Sequence, residues 1–265
     1  MILIALRSIV YEIVTSAQNA LLKEIRRAAA RGTLTRQGWC LAEGPRLLAE
    51  AQRSNCQIHR VVGTRATLQP FRDSLPCTEL SESLFRSLSS IETPQGILAL
   101  VEPPIHKESA LFRAAPLILV LDGVQDPGNA GTLARAAEAF GATGVLFLKG
   151  AVNPWNPKTL RASAGSLFRL PMLIGLDSQK ALELLHRNGV SVRATLPDTG
   201  RAPATLDWRG PVALVIGSEG QGLSEPFRAA EAVRIPTRAV ESLNAAVAGA
   251  ILLYEAARQR DGTFL

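Results

Sequence analysis

The sequence predicts an α/β protein whose C-terminal half is built on a mostly parallel sheet and is preceded by a smaller α/β domain. Three observations carry this. Strand-like and helix-like segments alternate along most of the chain. The run LILVLDGV (117–124) is continuously apolar, as a parallel strand buried on both faces is. The chain has 265 residues, 47% of them hydrophobic, enough for about two domains that each bury a core.

The elements follow in order. Residues 1–10, MILIALRSIV, read as a short N-terminal extension. Its apolar run precedes the first positive charge, Arg7, the reverse of a secretory leader, and is too short to span a bilayer. Residues 16–31 read as an amphipathic helix capped by Ser16, with Leu21, Leu22 and Ile25 at helical spacing and Gly32 at its end. Residues 38–44 read as a strand and turn, 45–54 as a helix, 58–64 as a strand, 81–90 as a helix, and 95–104 as a strand ended by two prolines. Residues 11–101 thus form the first domain, and the proline-containing, polar stretch 102–116 a linker. The second domain, 117–265, opens on the apolar strand, followed by a glycine-rich turn, a helix and the strand GVLFL (144–148). Then come a helix at 177–188, strands at 190–195 and 211–223, and a long helix near 242–260, a βαβ pattern.

Charge and cysteines narrow the function. Lysine and arginine number 29 against 23 acidic residues, a net charge of +6, and most of the 29 are arginine, suited to forked phosphate contacts. This fits an anionic partner such as nucleic acid, or a soluble arginine-rich protein from a composition-biased genome. Over residues 11–36 the basic Lys23, Arg26, Arg27, Arg31 and Arg36 outnumber the acidic Glu12 and Glu24, a face that tracks a phosphate backbone or is merely solvated. Cys40, Cys56 and Cys77 are odd in number and form no CxxC, which excludes a disulfide framework and argues against a cysteine zinc site. His59, His106 and His186 are scattered, so no metal is expected. No stretch reaches transmembrane length without charge, and a soluble cytoplasmic protein is expected.

Three segments each join a strand end to a polar turn. In LDGVQDPGNAGTLAR (121–135), Gly128 and Gly131 allow a sharp turn and place Asn129 and Arg135 at the sheet's carboxyl edge, where open α/β folds bind ligands. In LVIGSEGQGL (214–223), three glycines surround Glu219. In RIP (234–236) and ESLNAAVAGA (241–250), Ser242 is a candidate helix cap and Asn244 a first-turn residue. The GxGxxG spacing of nicotinamide enzymes is absent at the first of these turns, as is an acidic residue about 20 positions on.

Together with NPKTLRASAGSLFRLP (156–171), these segments closely resemble, in order and spacing, the signature motifs of the SpoU (TrmH) family of RNA ribose 2′-O-methyltransferases, of the SPOUT class. The resemblance implies a parallel sheet carrying a trefoil knot. It implies S-adenosyl-L-methionine held, bent, by backbone groups around Thr195, Leu196, Gly217, Ile235 and Leu243. Asn129, Arg135, Glu219, Ser242 and Asn244 would line the space where cofactor and ribose meet. Arg135 would anchor an RNA phosphate, with Glu219 orienting Arg135 or the loop, or instead touching substrate. Lys158 and Arg161 would face RNA or solvent, and Trp155 would stack a base or pack. A homodimer is implied, with Tyr254 and Phe168 in the core or at the dimer contact. No metal is implied, since a sulfonium methyl is already electrophilic. The N-terminal segments VTSAQNALLKEIRR, CLAEGPRLLAEA and TPQGILALV resemble the family's ribosomal-protein-like RNA substrate-binding domain, with Asn19-Ala20 in place of the common Asn-Pro. Ribosomal RNA is the favoured substrate; transfer RNA, or RNA binding without catalysis, are the alternatives.

Overall fold

The computed structural model describes residues 10–89 and 91–260. The expected extension over residues 1–10 lies outside the described residues apart from Val10. The chain divides into two compact units: the part up to Pro104 together with Trp155–Pro157, and Ile105–Pro154 together with the part from Lys158 onward.

The first unit carries β1 (Tyr11–Val14), α1 (Ala20–Arg31), β2 (Cys40–Glu43), α2 (Pro45–Arg53), β3 (Ile58–Gly63), α3 (Arg65–Leu68), β4 (Cys77–Leu80), α4 (Glu82–Arg86) and β5 (Ile97–Val101). The strands form one mixed sheet in the order β1-β4-β3-β5-β2, with β4 parallel to β1 and β3, and β5 antiparallel to β2 and β3. Leu22, Ile25 and Ala28 of α1, at helical spacing, pack on Leu41, Val62, Leu98 and Leu100 of the sheet. The helix expected over 16–31 starts later, and its cap is Asn19 rather than Ser16: Asn19 Oδ1 accepts from Leu21 N at 2.8 Å. Ser16 is used in the preceding turn, where its Oγ accepts from Gln18 N and its carbonyl from Asn19 N.

The second unit carries β6 (Leu117–Asp122), α5 (Pro127–Ala139), β7 (Gly144–Leu148), α6 (Pro157–Ala162), β8 (Met172–Leu176), α7 (Ser178–Arg187), β9 (Ser191–Thr195), β10 (Val212–Gly217), α8 (Glu225–Arg228), β11 (Glu231–Val233) and α9 (Ala245–Arg260). Its six strands run in the order β11-β9-β10-β6-β7-β8, and every pairing is parallel. All of β6 and β7 is buried, which explains their unbroken apolar sequences. The chain leaves the sheet's interior at Gly217, pairs at the edge as β11, and returns to lay α9 on α5 and β10. That excursion and return agree with the threaded C-terminal half implied by the resemblance. Within the stretch expected as a linker, Leu111 is fully buried among Ile118, Val120 and Leu146 of this unit, and its carbonyl accepts from Thr143 Oγ1 at 2.6 Å.

Small residues let the helices close on each other. A Cβ on Gly131 would sit on the Thr159 carbonyl oxygen and the Ala162 methyl. A backbone carbonyl cannot swing aside, so Gly131→Ala is expected to destabilise the protein by about 1–3 kcal/mol, as overpacking does. A urea unfolding midpoint equal to that of Gly210→Ala, whose Cβ meets open space, would refute this.

Candidate active site

Two adjoining cavities open at the carboxyl ends of β6, β9 and β10. The first, about 560 Å³, is lined by all five expected cofactor-binding positions, Thr195, Leu196, Gly217, Ile235 and Leu243, and by Glu219, Ser242 and Asn244. The second, about 550 Å³, is lined by Asp122, Asn129, Lys149 and Arg228 among others. Gly217, Ser218, Glu219, Gly222 and Ala245 line both, so Glu219 stands on the partition.

Local sequence explains each position. Pro127 opens α5 and Asp126 caps it, its Oδ1 accepting from Asn129 N at 2.7 Å, which puts Asn129 on the first turn. At the end of β10, a Cβ on Gly217 would strike the Gly222 peptide, so glycine is needed for the turn to close. Ser218 and Gly222 exchange backbone hydrogen bonds of 3.1 and 3.0 Å, and Ser218 Oγ accepts from Gln221 N, which presents Glu219 at the tip of a closed turn. The cap of α9 is Asn244, not Ser242: Asn244 Oδ1 accepts from Ala246 N at 3.0 Å and Val247 N at 3.3 Å. Ser242 instead is exposed and lines the first cavity.

Three distant residues meet here. Asn129 Nδ2 donates to Glu219 Oε1 at 2.8 Å. Asn244 Nδ2 donates to the same oxygen at 3.2 Å and to Asn129 Oδ1 at 3.0 Å. Both donors are neutral amides, so they fix the carboxylate without cancelling its charge. The N-termini of α5 and α9, which supply these asparagines, add the positive ends of two helix dipoles. The result is a fixed negative group on the partition, fit to attract a cationic ligand centre from the first cavity.

Arg135 does not join this cluster. It lies on the exposed face of α5, lines neither cavity, and makes no hydrogen bond or ion pair among the described residues. Six residues beyond Asn129, it is turned roughly 120° around the helix and raised about 9 Å. Glu219 therefore does not orient Arg135; it holds the two asparagines. Trp155 is buried (4% exposed) and packs rather than offering a stacking face. Phe168 is likewise in the core, whereas Tyr254 is exposed and meets Phe140 edge-on. Lys158 is exposed and Arg161 half-buried.

Sequence reasoning missed three contributors. Asp122, buried at the end of an apolar strand, accepts from Ser224 N at 2.7 Å and so ties down the far end of the glycine-rich loop. A carboxylate closing an otherwise apolar strand was the available signal. Lys149 and Arg228 flank the second cavity and carried no signal beyond their charge. Thr195 Oγ1, on the wall of the first cavity, is buried and has no hydrogen-bond partner among the described residues, a polar atom that a bound ligand would satisfy. Among the described residues no cluster of histidine, cysteine or acidic side chains is arranged to hold a metal, and no helix is long and apolar enough to cross a membrane.

Comparison with known proteins bears on this geometry. Residues 116–254 match the SpoU rRNA Methylase family, and residues 19–99 match an MRM3-like substrate binding domain. An uncharacterized tRNA/rRNA methyltransferase of Synechocystis sp. is 34% identical, over 93% of this chain and 94% of its own. The 23S rRNA (guanosine(2553)-2′-O)-methyltransferase RlmP of Bacillus subtilis is 31% identical, over 91% of this chain and 97% of its own. The crystal structure of the SpoU methyltransferase AviRb from Streptomyces viridochromogenes in complex with AdoMet superposes with a TM-score of 0.82 at 27% identity, over 91% of this chain and 98% of that one.

Proposed function

The chain belongs to the SpoU rRNA methylase family, and from that membership and the paired cavities we infer that it transfers a methyl group from S-adenosyl-L-methionine to a ribose 2′-hydroxyl of structured RNA. The observation that carries this reading is the partition: Glu219, held by Asn129 and Asn244, separates a cavity for the cofactor from a cavity for the target nucleotide. Ribosomal RNA is the favoured substrate, because the first unit matches an MRM3-like substrate binding domain and similar proteins are named as rRNA methyltransferases.

The residues present suit the cofactor. Thr195 Oγ1, buried with no hydrogen-bond partner among the described residues, can take a polar group of the cofactor, and the glycine-closed turn at Gly217 lets a ligand approach the backbone. Thr195, Leu196, Gly217, Ile235 and Leu243 would hold it, with Ser242 adding a hydroxyl on the same wall. Bound S-adenosyl-L-methionine supplies an electrophilic sulfonium methyl. What this chain adds is alignment and charge. Glu219 sets a negative charge beside the cofactor cavity, and Asn129 and Asn244 keep it in place. Lys149 and Arg228 bring positive charge to the second cavity for the RNA backbone. Arg135, exposed on α5 outside both cavities, grips a phosphate of the target strand and so sets the position of its ribose, while the proton leaves to water or phosphate. Arginine cannot itself be the base, because a guanidinium does not give up its proton in a protein.

Tritium transfer from labelled S-adenosyl-L-methionine to total RNA of cells lacking the gene tests the reading, followed by mapping of ribose methylation. Label at one ribosomal ribose is expected. Cofactor binding without transfer to any RNA would leave a non-catalytic RNA-binding protein instead, and label confined to transfer RNA would shift the substrate.

A homodimer completes the proposal. Val247, Ile251 and Tyr254 of α9 are 49%, 41% and 43% exposed and recur at helical spacing, an apolar stripe of the kind a second copy covers. Ile251→Glu is expected to convert a dimer to a monomer in sedimentation equilibrium; an unchanged dimer would place the interface elsewhere. The cytoplasmic location expected from the sequence fits the buried thiols of Cys40 and Cys77.

A further inference from the structure

The first unit holds a small apolar cavity, about 320 Å³, between the start of α1 and the loop that leads into β2. Ala20, Leu21 and Leu100 supply its apolar surface and Trp39 an aromatic wall, and Glu24, Thr35, Arg36 and Gln37 complete the lining, the Glu24 carboxylate being engaged by Arg27 and Arg36. No step of the proposed transfer uses it.

Trp39 is held in advance of any ligand. Thr35 N donates to the Trp39 carbonyl at 2.9 Å, Trp39 N donates to Thr35 Oγ1 at 3.1 Å, and Gly38, at φ 84°, closes the turn. The indole stacks on the His59 ring with centroids 4.3 Å apart, and His59 Nε2 is 2.8 Å from a Glu102 carboxylate oxygen. Arg36 N donates to Glu24 Oε1, which fastens the loop to α1. A ring fixed this way costs little ordering entropy on binding. Trp155 and Trp208 are 4% and 0% exposed, so Trp39 is the one tryptophan a ligand reaches.

The surroundings are basic. Lys23, Arg27 and Arg31 follow one another at four-residue spacing on α1, and the Arg36 side chain is 78% exposed. Glu24, the single acidic residue of α1, is engaged by Arg27 and Arg36. An apolar slot with a preset aromatic wall beside a row of cations matches a nucleotide, whose base is flat and apolar-faced and whose phosphate is anionic. An apolar peptide side chain would gain nothing from the cations.

We propose that this cavity takes one unstacked base of the RNA substrate against Trp39, with Lys23 and Arg36 on the flanking phosphates. The proposal rests on the RNA reading above and assigns residues to RNA capture by the first unit. The test is titration of the full-length protein with a ten-nucleotide oligoadenylate, read by tryptophan fluorescence and by anisotropy of a labelled strand. Single-stranded oligoadenylate is expected to quench the wild-type emission, and the same strand in a duplex to leave it unchanged. Trp39→Phe should abolish the quench yet bind within about threefold, because a smaller aromatic still stacks, whereas Trp39→Leu should bind about tenfold more weakly. Both variants should keep the wild-type far-UV circular dichroism and urea unfolding midpoint, which report an intact first unit, and should bind S-adenosyl-L-methionine as the wild type does, which reports an intact second unit. A quench that persists in Trp39→Phe, an equal quench by the duplex, or unchanged affinity in Trp39→Leu would overturn the base cavity and leave RNA methylation standing. A wild-type protein that binds neither this probe nor ribosomal RNA would bring down both.

Discussion

Arg135→Lys is expected to lower the rate of methyl transfer by about 10²-fold, equivalent to ~2.7 kcal/mol, with S-adenosyl-L-methionine affinity unchanged. The expectation follows from where α5 puts the residue. Arg135 lines neither cavity, so its loss removes no contact to the cofactor. Its side chain makes no hydrogen bond or ion pair among the described residues, so no internal network collapses when it changes. What it offers is a planar fork of donors that clamps a phosphate at two points and sets the register of the ribose. Lysine keeps the charge and loses the fork. RNA should therefore still bind, and the deficit should appear in kcat more than in KM. Displacing a reacting group by about 1 Å is enough for a loss of this size. A turnover within a few-fold of wild type would show that the fork does not align the ribose. A deficit confined to KM would reduce Arg135 to a general electrostatic contact.

Much of this was legible in the sequence, and the exceptions have physical causes. The interior strands β6, β7 and β10 announced themselves because burial on both faces leaves near-continuous apolar runs, broken in β6 only by Asp122 at its end. The edge strands β1, β8 and β11 did not. They are three to five residues long and largely unburied, so neither alternation nor an apolar run develops. Helix starts slipped for a different reason. Ser16 and Ser242 are good caps in isolation, yet the buried apolar positions of each helix begin later, and Asn19 and Asn244 sit where those positions require the first turn. The site divides the same way. Asn129, Glu219 and Asn244 were each visible as polar residues in glycine- or alanine-rich strand ends. Their mutual hydrogen bonds span 90 and 115 positions, which no local pattern encodes. The orientation of Arg135 away from Glu219 was derivable, since six residues carry a helix well past a full turn, but only once α5 was known to run unbroken past it.

Removing Glu219 should do the most damage, and two replacements separate its roles. Glu219→Ala leaves Asn129 Nδ2 without its acceptor and Asn244 Nδ2 with only Asn129 Oδ1, so the partition between the cavities loses both its shape and its charge. A fall of roughly 10²–10³ in kcat/KM is expected, the scale seen when a preorganised electrostatic group is lost. Glu219→Gln keeps an oxygen acceptor for both amides and removes only the charge. If the charge is what favours the sulfonium, this variant should retain the fold and the binding of S-adenosylhomocysteine, which is uncharged at sulfur. Its affinity for S-adenosyl-L-methionine should drop about tenfold, a loss of ~1.4 kcal/mol, so that the preference for the charged form shrinks. Calorimetry with the two ligands reads this directly. Equal losses for both would mean that Glu219 shapes the cavity without sensing charge. A wild-type preference in Glu219→Gln would mean that the charge of Glu219 is not what favours the sulfonium, since the nearby helix ends are positive and cannot supply it. Coupling between Glu219→Ala and Asn129→Ala gives an independent check: residues in one hydrogen-bonded network should show a non-additive term of about 0.5–3 kcal/mol, and additive losses would mean that the network seen here does not act as a unit.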